Sequence, residues 1–501
     1  MRGFKRFLTR TDTSHLIVCR AGRGRLAGAR VAAMRKDALL VLALLLVGCD
    51  AQQHQVVQRP NLLLITTDDQ RFDMLGNMHP FLETPHMDLL ASQGLRFENA
   101  FVTTPICAAS RASILTGLVE RTHQFTFATP PLAVRFTDLS YPALLREAGY
   151  HTGFIGKFGV TTEPGVTDTM FDTYVPLSPA PYLKQLEDGS VRHLTDITAD
   201  ASIEYLRSTA GTSPFALTVS FNAPHADDGD ERQYIWPEAM DGKYSDVTIP
   251  DPPLSEPAFF TALPEFLQDA SLNRVRWYWR FDTPEKAQQM TRGYLRMISG
   301  VDAAIGRILG ELESLGIADN TIVLLMSDNG YFLGERGYAG KWLPHDLSIR
   351  VPLVVYDPRV EDRLRGSTPS MLVLNIDIAP TLLDLAGVAV PTSMQGRSLV
   401  PLLAGESPDD WRTDFFVEHL FEHPEIPKHE GVRGERFKYA RYFEQVPVYE
   451  ELYDLLADPL EARNLAGNPD YLAILDELRG RTDELRDEYG GPFVSLRERL
   501  P

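Results

Sequence analysis

Three continuous runs of apolar residues, each followed by polar side chains, constrain the fold of this chain most strongly. They cover residues 61–67, 215–221 and 321–327. Runs without polar alternation are typical of strands buried on both faces, as in the centre of a parallel sheet. Helical patterns lie between the runs, at 141–148 and from about 284 to 315. The sequence therefore predicts an α/β fold with these runs as central parallel strands of a large domain.

The first and third runs end in acidic and amide residues. Asp68 and Asp69 follow the first run, and Asp328 and Asn329 follow the third. Ligands bind at the carboxyl ends of strands in open α/β sheets, and adjacent carboxylates repel each other unless a cation lies between them. Oxygen ligands of this kind favour Ca²⁺ or Mg²⁺ over Zn²⁺. We therefore predict a divalent metal site, with a solvated turn as the alternative for the acidic pair alone.

A cysteine stands at the start of a further predicted helix. Ser110 and Arg111 follow Cys107 within one turn, and 112–115 are helix-favouring residues. The N–H groups and positive dipole of a helix N-terminus favour an anion. The alternative is a buried structural cysteine, which is the commoner role of a single cysteine.

The amino-terminal region has the pattern of a bacterial export signal. Residues 1–33 are rich in arginine and poor in acidic residues, and we interpret them as an upstream artefact before a true start at Met34. Residues 34–49 contain a basic segment, a short apolar core and a lipobox that ends at Cys49. Residues 50–60 form a polar tether. We expect an exported lipoprotein, periplasmic or at the cell surface, held to the membrane only through lipid on Cys49; an ordinary cleaved signal or an uncleaved anchor are the alternatives.

Net charge and cysteine content limit the classes of partner and of reaction that the chain can have. The formal net charge of −19 argues against nucleic acid as a partner. Cys19 lies in the predicted artefact and Cys49 in the signal, which leaves Cys107 as the unpaired thiol of the mature protein. A leftover cysteine in an exported protein calls for a chemical explanation.

The segment around Cys107 closely resembles the defining motif of the type I sulfatases. It reads Cys-Ala-Ala-Ser-Arg over 107–111, followed by Thr-Gly at 116–117, with Ala109 where the family more often has proline. Other segments resemble the family in the same order along the chain, over roughly residues 60–470. They include Gly-Lys at 156–157, Pro-His at 224–225, Gly-Glu at 334–335 with Lys341, and Glu-Leu-Tyr-Asp at 451–454.

This resemblance implies both an architecture and a reaction. The implied architecture is alkaline-phosphatase-like, with a large central sheet that is mixed but mostly parallel and sandwiched by helices. This sheet would lie in a catalytic domain over 61–405, followed by a small C-terminal α+β subdomain with an antiparallel sheet over 406–501. The reaction is hydrolysis of sulfate monoesters, and an exported lipoprotein fits sulfated carbohydrates as the substrate. In the family, a maturation enzyme oxidises the cysteine to formylglycine, whose hydrated aldehyde is the nucleophile. We therefore expect Cys107 to be converted in the same way.

The resemblance also assigns roles to individual residues. The metal, Ca²⁺ with Mg²⁺ as the alternative, would be bound by Asp68, Asp69, Asp328, Asn329 and the formylglycine oxygen at position 107. The other catalytic groups would be Arg111, Lys157 and Lys341, which hold the sulfate oxygens, and His225, which protonates the leaving alcohol.

One departure from the family concerns the second half of the catalytic cycle. Gly159 stands where the family has a histidine that helps expel sulfate from the covalent intermediate. His123, close to the nucleophile in sequence, is the candidate replacement. Arg336 also replaces a common histidine, and no role is assigned to it.

The segment at 226–289 is predicted to be a long irregular insertion. It is rich in Asp, Pro and aromatic residues and includes Trp-Tyr-Trp-Arg-Phe at 277–281. Insertions of this length inside a compact domain are usually functional. We expect its aromatic residues to shape the substrate site, with a small satellite core as the alternative.

Three other functions compete with a sulfatase. A phosphonate or phosphodiester hydrolase of the same superfamily is the nearest. A catalytically degenerate protein that binds sulfated glycans is favoured only by Gly159. A Cys–His peptidase or acyl hydrolase would leave the acidic cluster unexplained.

Overall fold

The computed structural model describes residues 59–268 and 271–499. The predicted artefact, the signal with Cys49 and nearly all of the tether lie outside the described residues. Within the described part of the chain, no helix is long and apolar enough to cross a membrane.

The secondary structure alternates between strands and helices through most of the chain. The strands are β1 (Asn61–Thr67), β2 (Leu95–Arg96), β3 (Asn99–Phe101), β4 (His151–Gly156), β5 (Thr173–Pro176), β6 (Leu183–Gln185), β7 (Val191–His193), β8 (Phe215–Ser220), β9 (Thr321–Ser327), β10 (Phe332–Leu333), β11 (Ala339–Gly340), β12 (Leu353–Tyr356), β13 (Leu372–Leu374), β14 (Asp414–His419), β15 (His429–Gly434), β16 (Phe437–Tyr442) and β17 (Tyr449–Asp454). The α-helices are α1 (Pro85–Gln93), α2 (Cys107–Thr116), α3 (Glu120–His123), α4 (Val134–Thr137), α5 (Tyr141–Glu147), α6 (Thr167–Met170), α7 (Leu194–Thr209), α8 (Pro257–Thr261), α9 (Leu272–Arg280), α10 (Pro284–Ser314), α11 (Asp346–Ile349), α12 (Ile378–Leu385), α13 (Val400–Leu403), α14 (Leu472–Tyr489) and α15 (Leu496–Arg499).

The central sheet has seven strands in the order β2-β12-β9-β1-β8-β4-β5. β1 pairs in parallel with β8 and β9, and β4 pairs in parallel with β5 and β8. β12 is antiparallel to both β9 and β2. The predicted mixed, mostly parallel sheet is therefore confirmed, and the three apolar runs form its adjacent central strands.

Both faces of this sheet are covered by helices, because alternate side chains of a strand point to opposite faces. Leu62 and Leu64 of β1 pack into one core, to which α2, α5 and α12 contribute. Leu63 and Ile65 pack into a second core with α1, α7 and α10. This two-sided burial explains why β1, β8 and β9 are continuous apolar runs in the sequence.

The C-terminal region contains the predicted antiparallel sheet. Strands β14 to β17 pair in chain order, and each pair is antiparallel. Leu485 of α14 packs against Phe416 and Val432 on this sheet. The proposed boundary near residue 405 falls between the end of α13 and the start of β14.

The prediction of an irregular insertion is wrong for part of 226–289. Ser271 precedes nine residues that form α9, so the stretch from Trp277 to Arg280 lies on a helix. The Asp, Pro and aromatic content of the whole region favours irregular structure, but no proline or glycine interrupts 271–281, so a helix can form there. Asn273 of α9 donates a hydrogen bond to the carbonyl oxygen of Lys341 at 2.8 Å, which fixes the helix beside β11.

A buried ion-pair network links the C-terminal sheet to the rest of the structure. Lys438 of β16 contacts Asp346 of α11 at 2.5 Å, Glu461, and the carbonyl oxygen of Pro344 at 3.0 Å. Its side chain is only 1% exposed. Burial raises the pKa of Glu461 despite the opposing charge of Lys438. The network therefore depends on a cation at position 438.

Replacing Lys438 by methionine should strongly destabilise the protein. The change leaves buried carboxylates without their main cation, and we expect the free energy of unfolding to fall by about 3–5 kcal/mol. Chemical denaturation followed by circular dichroism measures this. Lys243→Met is the matched control, because Lys243 pairs with Glu83 at the surface and should lose no more than about 1 kcal/mol. Equal unfolding midpoints for the two variants would contradict a role for the network.

Candidate active site

Cys107 is the first residue of α2, as predicted. Ile106 before it has an extended backbone, and the helix ends at Gly117 with φ +70°. All ten residues of α2 are buried, and Cys107 is the free cysteine of the described residues. The small side chains of Ala108, Ala109 and Ala112 let the helix pack closely against its neighbours. The helix thereby presents position 107 at the floor of a cavity.

Three cationic side chains surround Cys107. Lys157 follows β4 directly, and its Nζ lies 3.9 Å from Cys107 Sγ while it also binds Asp68. Lys341 follows β11, and its Nζ lies 2.6 Å from Asp69. Arg111 lies one helical turn after Cys107 and donates from Nε to Asp328 at 2.7 Å. The structure thus brings the three predicted cations to one point.

The four predicted metal ligands come together because β1 and β9 are in register. Thr67 lies opposite Ser327, so the residues that follow the two strands are neighbours. Asp69 adopts φ +67°, a conformation that aspartate tolerates better than most residues. Its carbonyl oxygen accepts a 2.7 Å hydrogen bond from the hydroxyl of Tyr294, which holds the turn.

The oxygen atoms of this cluster fit a hard divalent cation. Asp68 Oδ1, Asp69 Oδ2 and Asn329 Oδ1 are buried and have no hydrogen-bond partner among the described residues. Buried polar atoms are normally satisfied, so three such oxygens in one place fit the donor set of a cation site. Possible ligand atoms of Asp68, Cys107 and Asp328 lie within 4.8 Å of one another. An all-oxygen set of this type suits Ca²⁺ or Mg²⁺.

Charge balance explains how so many ionisable groups can be buried together. Burial opposes ionisation of Asp68, but Lys157 and Lys341 outweigh it and hold its pKa far below the usual range. Burial and the negative charge of Asp68 raise the pKa of Asp328 to about 6, even though Arg111 opposes this. Burial also opposes the charge on Lys341, but Asp69 raises its pKa well above the usual value. The carboxylates and the cations therefore stabilise each other.

His225 lies next to the oxygen cluster, beside Asp69. Its Nδ1 is 2.6 Å from the carbonyl oxygen of Ala226, and its Nε2 is 3.7 Å from Asp69 Oδ2. Burial lowers its pKa to about 4, although Asp69 and Asp68 oppose this. In the neutral ring, Nδ1 donates to Ala226, and Nε2 is left beside Asp69.

These groups open into a cavity of about 830 Å³, called here the Cys107 cavity. Its lining includes Cys107, Lys157, His225 and Lys341, so the predicted catalytic side chains share one solvent-accessible space. Arg111 lies behind them. The volume is sufficient for a sugar-sized ligand.

Gly159 lines the Cys107 cavity and makes room for Arg111. It has φ +71°, and a Cβ atom at this position would lie 2.9 Å from Arg111 Cδ. The backbone here favours glycine. A side chain at position 159 would therefore meet the Arg111 side chain.

The hypothesis that His123 replaces that histidine is wrong. His123 is buried, with Nε2 3.1 Å from Ser113 Oγ and Nδ1 accepting from the backbone N–H of Phe125 at 3.1 Å. Burial lowers its pKa to about 3. Proximity in sequence misled the prediction, because α3 turns this histidine back onto the side of α2.

Sequence reasoning missed most of the cavity wall. Leu272 and Arg276 of α9 line it, whereas Trp277 stacks on the guanidinium of Arg274 and Trp279 is 40% exposed. The expectation that the aromatic stretch shapes the cavity is therefore wrong for these tryptophans. Other lining residues that the sequence did not reveal are Asp227, Asp228, Trp342, Phe421, His423 and Ile426. Among these six residues, only Trp342 could be inferred from the sequence, because it directly follows Lys341, a predicted site residue.

This sheet topology, with an oxygen cluster and cations at its carboxyl edge, is that of the alkaline phosphatase superfamily. The family model described as Sulfatase matches residues 60–388, and the chain belongs to the sulfatase family. It is a sulfuric ester hydrolase. A model described as N-sulphoglucosamine sulphohydrolase, C-terminal, matches residues 334–488. The predicted family and reaction class are confirmed.

Individual relatives agree with this family. The chain is 31% identical to an N-acetylglucosamine-6-O-sulfatase of Bacteroides thetaiotaomicron, over 90% of each chain. It is 30% identical to an arylsulfatase of Clostridium perfringens, over 84% of this chain and 93% of the relative.

Solved structures show the same fold. A protein in complex with its substrate D-glucosamine-2-N,6-O-disulfate is 29% identical, with a TM-score of 0.74 over 86% of this chain and 98% of that chain. A phosphonate monoester hydrolase from Silicibacter pomeroyi also has a TM-score of 0.74, over 86% of this chain and 96% of that one. At 23% identity, the hydrolase is similar in fold alone.

Replacing Gly159 by alanine should impair catalysis by displacing Arg111. We expect kcat/KM for 4-nitrophenyl sulfate to fall by about tenfold or more, because small misplacements of catalytic groups are costly. Gly165→Ala is the matched control, since Gly165 has φ +82° but a Cβ there meets no atom within 4 Å. Both variants should lose similar stability, and only Gly159→Ala should lose activity. Full activity of Gly159→Ala would show that Arg111 does not depend on this glycine.

Proposed function

We propose that this protein hydrolyses sulfate monoesters of carbohydrates, with residue 107 as the nucleophile and a divalent cation as cofactor. The observation that supports this most strongly is the convergence of Cys107, three cations and four oxygen-bearing residues, some lining the Cys107 cavity and the others directly behind its lining. The relatives named for N-acetylglucosamine 6-sulfate ester hydrolysis support a carbohydrate substrate. An exported lipoprotein, anchored through Cys49, would meet such substrates outside the cytoplasm.

The nucleophile would be made from Cys107 by a maturation enzyme. Formylglycine supplies a hydrated aldehyde oxygen for attack on sulfur, and it allows the enzyme to be reset by elimination. The motif over 107–111 and the position of Cys107 at the cavity floor support this assignment. Lys157, 3.9 Å from Sγ, would stabilise negative charge at this position.

The cofactor would be Ca²⁺, with Mg²⁺ as the alternative. The unsatisfied oxygens of Asp68, Asp69 and Asn329, together with Asp328, would hold it. When bound, the cation polarises a sulfate oxygen and favours the ionised nucleophile.

The remaining residues would bind the ester and handle its proton. Arg111, Lys157 and Lys341 would neutralise the sulfate oxygens as negative charge builds during attack. His225 would protonate the oxygen of the leaving alcohol from Nε2. The negative charge of the bound ester favours the protonated imidazole, which counteracts the effect of burial.

Replacing Cys107 by alanine should abolish turnover of 4-nitrophenyl sulfate. The wild-type protein, co-expressed with a maturation enzyme, should give a peptide across position 107 in which an aldehyde oxygen replaces the thiol sulfur, with loss of hydrogen. The same protein produced without maturation is the matched control, because it is unchanged except at this side chain. It should retain the thiol and be inactive. An active Cys107→Ala variant would falsify the proposed nucleophile.

Replacing Asp69 by asparagine should weaken cation binding without changing the backbone. Asparagine also tolerates φ near +67°, so the main effect is loss of one negative ligand. We expect Ca²⁺ affinity, measured by isothermal titration calorimetry, to fall by about tenfold or more. Wild-type protein should also unfold at a higher temperature with Ca²⁺ than with a chelator.

Asp73→Asn is the control for this measurement. Asp73 pairs with Arg71 only a few residues away, outside the oxygen cluster. The control should bind Ca²⁺ as the wild type does. Unchanged Ca²⁺ binding in Asp69→Asn would contradict the assigned metal site.

A further inference from the structure

One wall of the Cys107 cavity combines an acidic, a basic and an aromatic side chain. We call Asp228, Arg276 and Trp342 the recognition wall; all three line the cavity. Arg276 donates from NH2 to Asp228, and its guanidinium lies 4.7 Å from the centre of the Trp342 ring. An ion pair stacked on an aromatic ring is a common way to present polar groups to a sugar.

This wall is held rigidly from behind by Arg280. The Arg280 side chain is fully buried and donates to Asp228, to Gln233 Oε1 at 2.9 Å and to the hydroxyl of Tyr331 at 2.7 Å. Asp228 is thereby shared between two arginines. The carboxylate is oriented in advance, so little conformational entropy is lost when a ligand binds to it.

Polar groups on the wall remain available to a ligand. Arg276 Nε is buried and has no hydrogen-bond partner among the described residues. The side chain of Asp228 is 31% exposed. A buried donor without a partner is destabilising unless a ligand or water satisfies it. The exposed part of the Asp228 carboxylate thus offers an acceptor to hydroxyl or amide groups, and the Arg276 guanidinium, whose side chain is 11% exposed, offers a donor.

The wall lies close to the reacting centre. Trp342 follows Lys341 directly and packs against Ile106 and Ala109, on either side of Cys107 in the chain. Lys341 in turn contacts Asp69. A sugar ring whose sulfate is held at Lys341 therefore lies beside the recognition wall.

The charges on this side of the cavity cancel. Asp227 and Asp228 are balanced by Arg276 at the wall and Arg280 behind it. No surplus positive charge is present among these four residues to bind a second anionic group. A second sulfate or a carboxylate on the same ring would meet two carboxylates whose charges are already neutralised.

We propose that Asp228 and Arg276 determine specificity by binding the uncharged hydroxyl or amide groups of a sugar ring that carries a single sulfate. The inference rests on the proposed carbohydrate sulfatase function and names its substrate class. Asp228 accepts hydrogen bonds from the ring, and Arg276 donates to it. Rings with a second anionic substituent are disfavoured.

The test compares sulfated N-acetylhexosamines with matched disulfated sugars. For the best monosulfated isomer, mature wild-type enzyme should show at least about tenfold higher kcat/KM than for the same sugar with N-sulfate in place of N-acetyl. Arg276→Met and Asp228→Asn should lower kcat/KM on the monosulfated sugar by about 10–100-fold, mainly through KM. Their kcat/KM for 4-nitrophenyl sulfate should fall by a clearly smaller factor than their kcat/KM for the sugar, because a phenyl ring uses no hydroxyl contacts.

Asp228→Asn has an additional signature. It leaves Arg276 and Arg280 with surplus positive charge, so the ratio of disulfated to monosulfated activity should rise. Asp230→Asn is the matched control on the same loop, since Asp230 pairs with Arg232 at the surface. The control should leave every ratio unchanged.

The outcomes separate the inference from the function on which it rests. The inference alone would be overturned if the enzyme hydrolysed the aryl sulfate but showed no preference for the monosulfated sugar. It would also be overturned if the enzyme hydrolysed the aryl sulfate but no sulfated hexosamine. An unchanged substrate ratio in Asp228→Asn would do the same. Mature enzyme that cleaves no sulfate ester at all would overturn both the proposed function and this inference.

Discussion

The active-site edge of this protein depends on mutual compensation between three buried carboxylates and three buried cations. Asp68, Asp69 and Asp328 are almost completely inaccessible to solvent, and Arg111, Lys157 and Lys341 contact them directly. Neither set could be buried alone, because an unpaired charge in the interior is strongly unfavourable. The protein has a formal net charge of −19, yet it concentrates cations at this one edge. With their charges balanced, the six groups can be buried together at the carboxyl edge of the sheet.

Much of this centre was predictable from the sequence because it is built on strand ends. The residues that follow β1 and β9 are far apart in the chain, but parallel register brings them together. Apolar runs identify such strands, and polar residues after them identify the ligand-binding edge. The helix that begins at Cys107 was equally clear from its composition and motif. Local patterns were therefore sufficient to place Cys107 and the oxygen cluster.

The cavity wall was not predictable in the same way, because tertiary packing alone determines it. Arg276 lies in a segment whose composition indicated irregular structure, and its helix is fixed by a bond from Asn273 to the backbone of Lys341. Phe421 and His423 reach the cavity from the C-terminal region, after β14. His123 shows the opposite case, because it is close to Cys107 in the sequence but does not lie in the site. Substrate recognition in this chain is thus assembled from elements that no single pattern connects.

Gly159 is coupled to the packing of Arg111 beside Cys107. A side chain at this position would project toward Arg111 Cδ, so the stem of the arginine and a residue 159 side chain compete for the same space. Arg111 in turn binds Asp328, the backbone of Lys157 and Ser220, which fixes both flanks of the oxygen cluster. The identity of residue 159 therefore affects the position of Arg111, and glycine also leaves this position without an imidazole. Lys157, whose carbonyl oxygen Arg111 binds, also places its Nζ 3.9 Å from Cys107 Sγ, so the contacts of Gly159, Arg111 and Lys157 form one connected set that ends at Cys107.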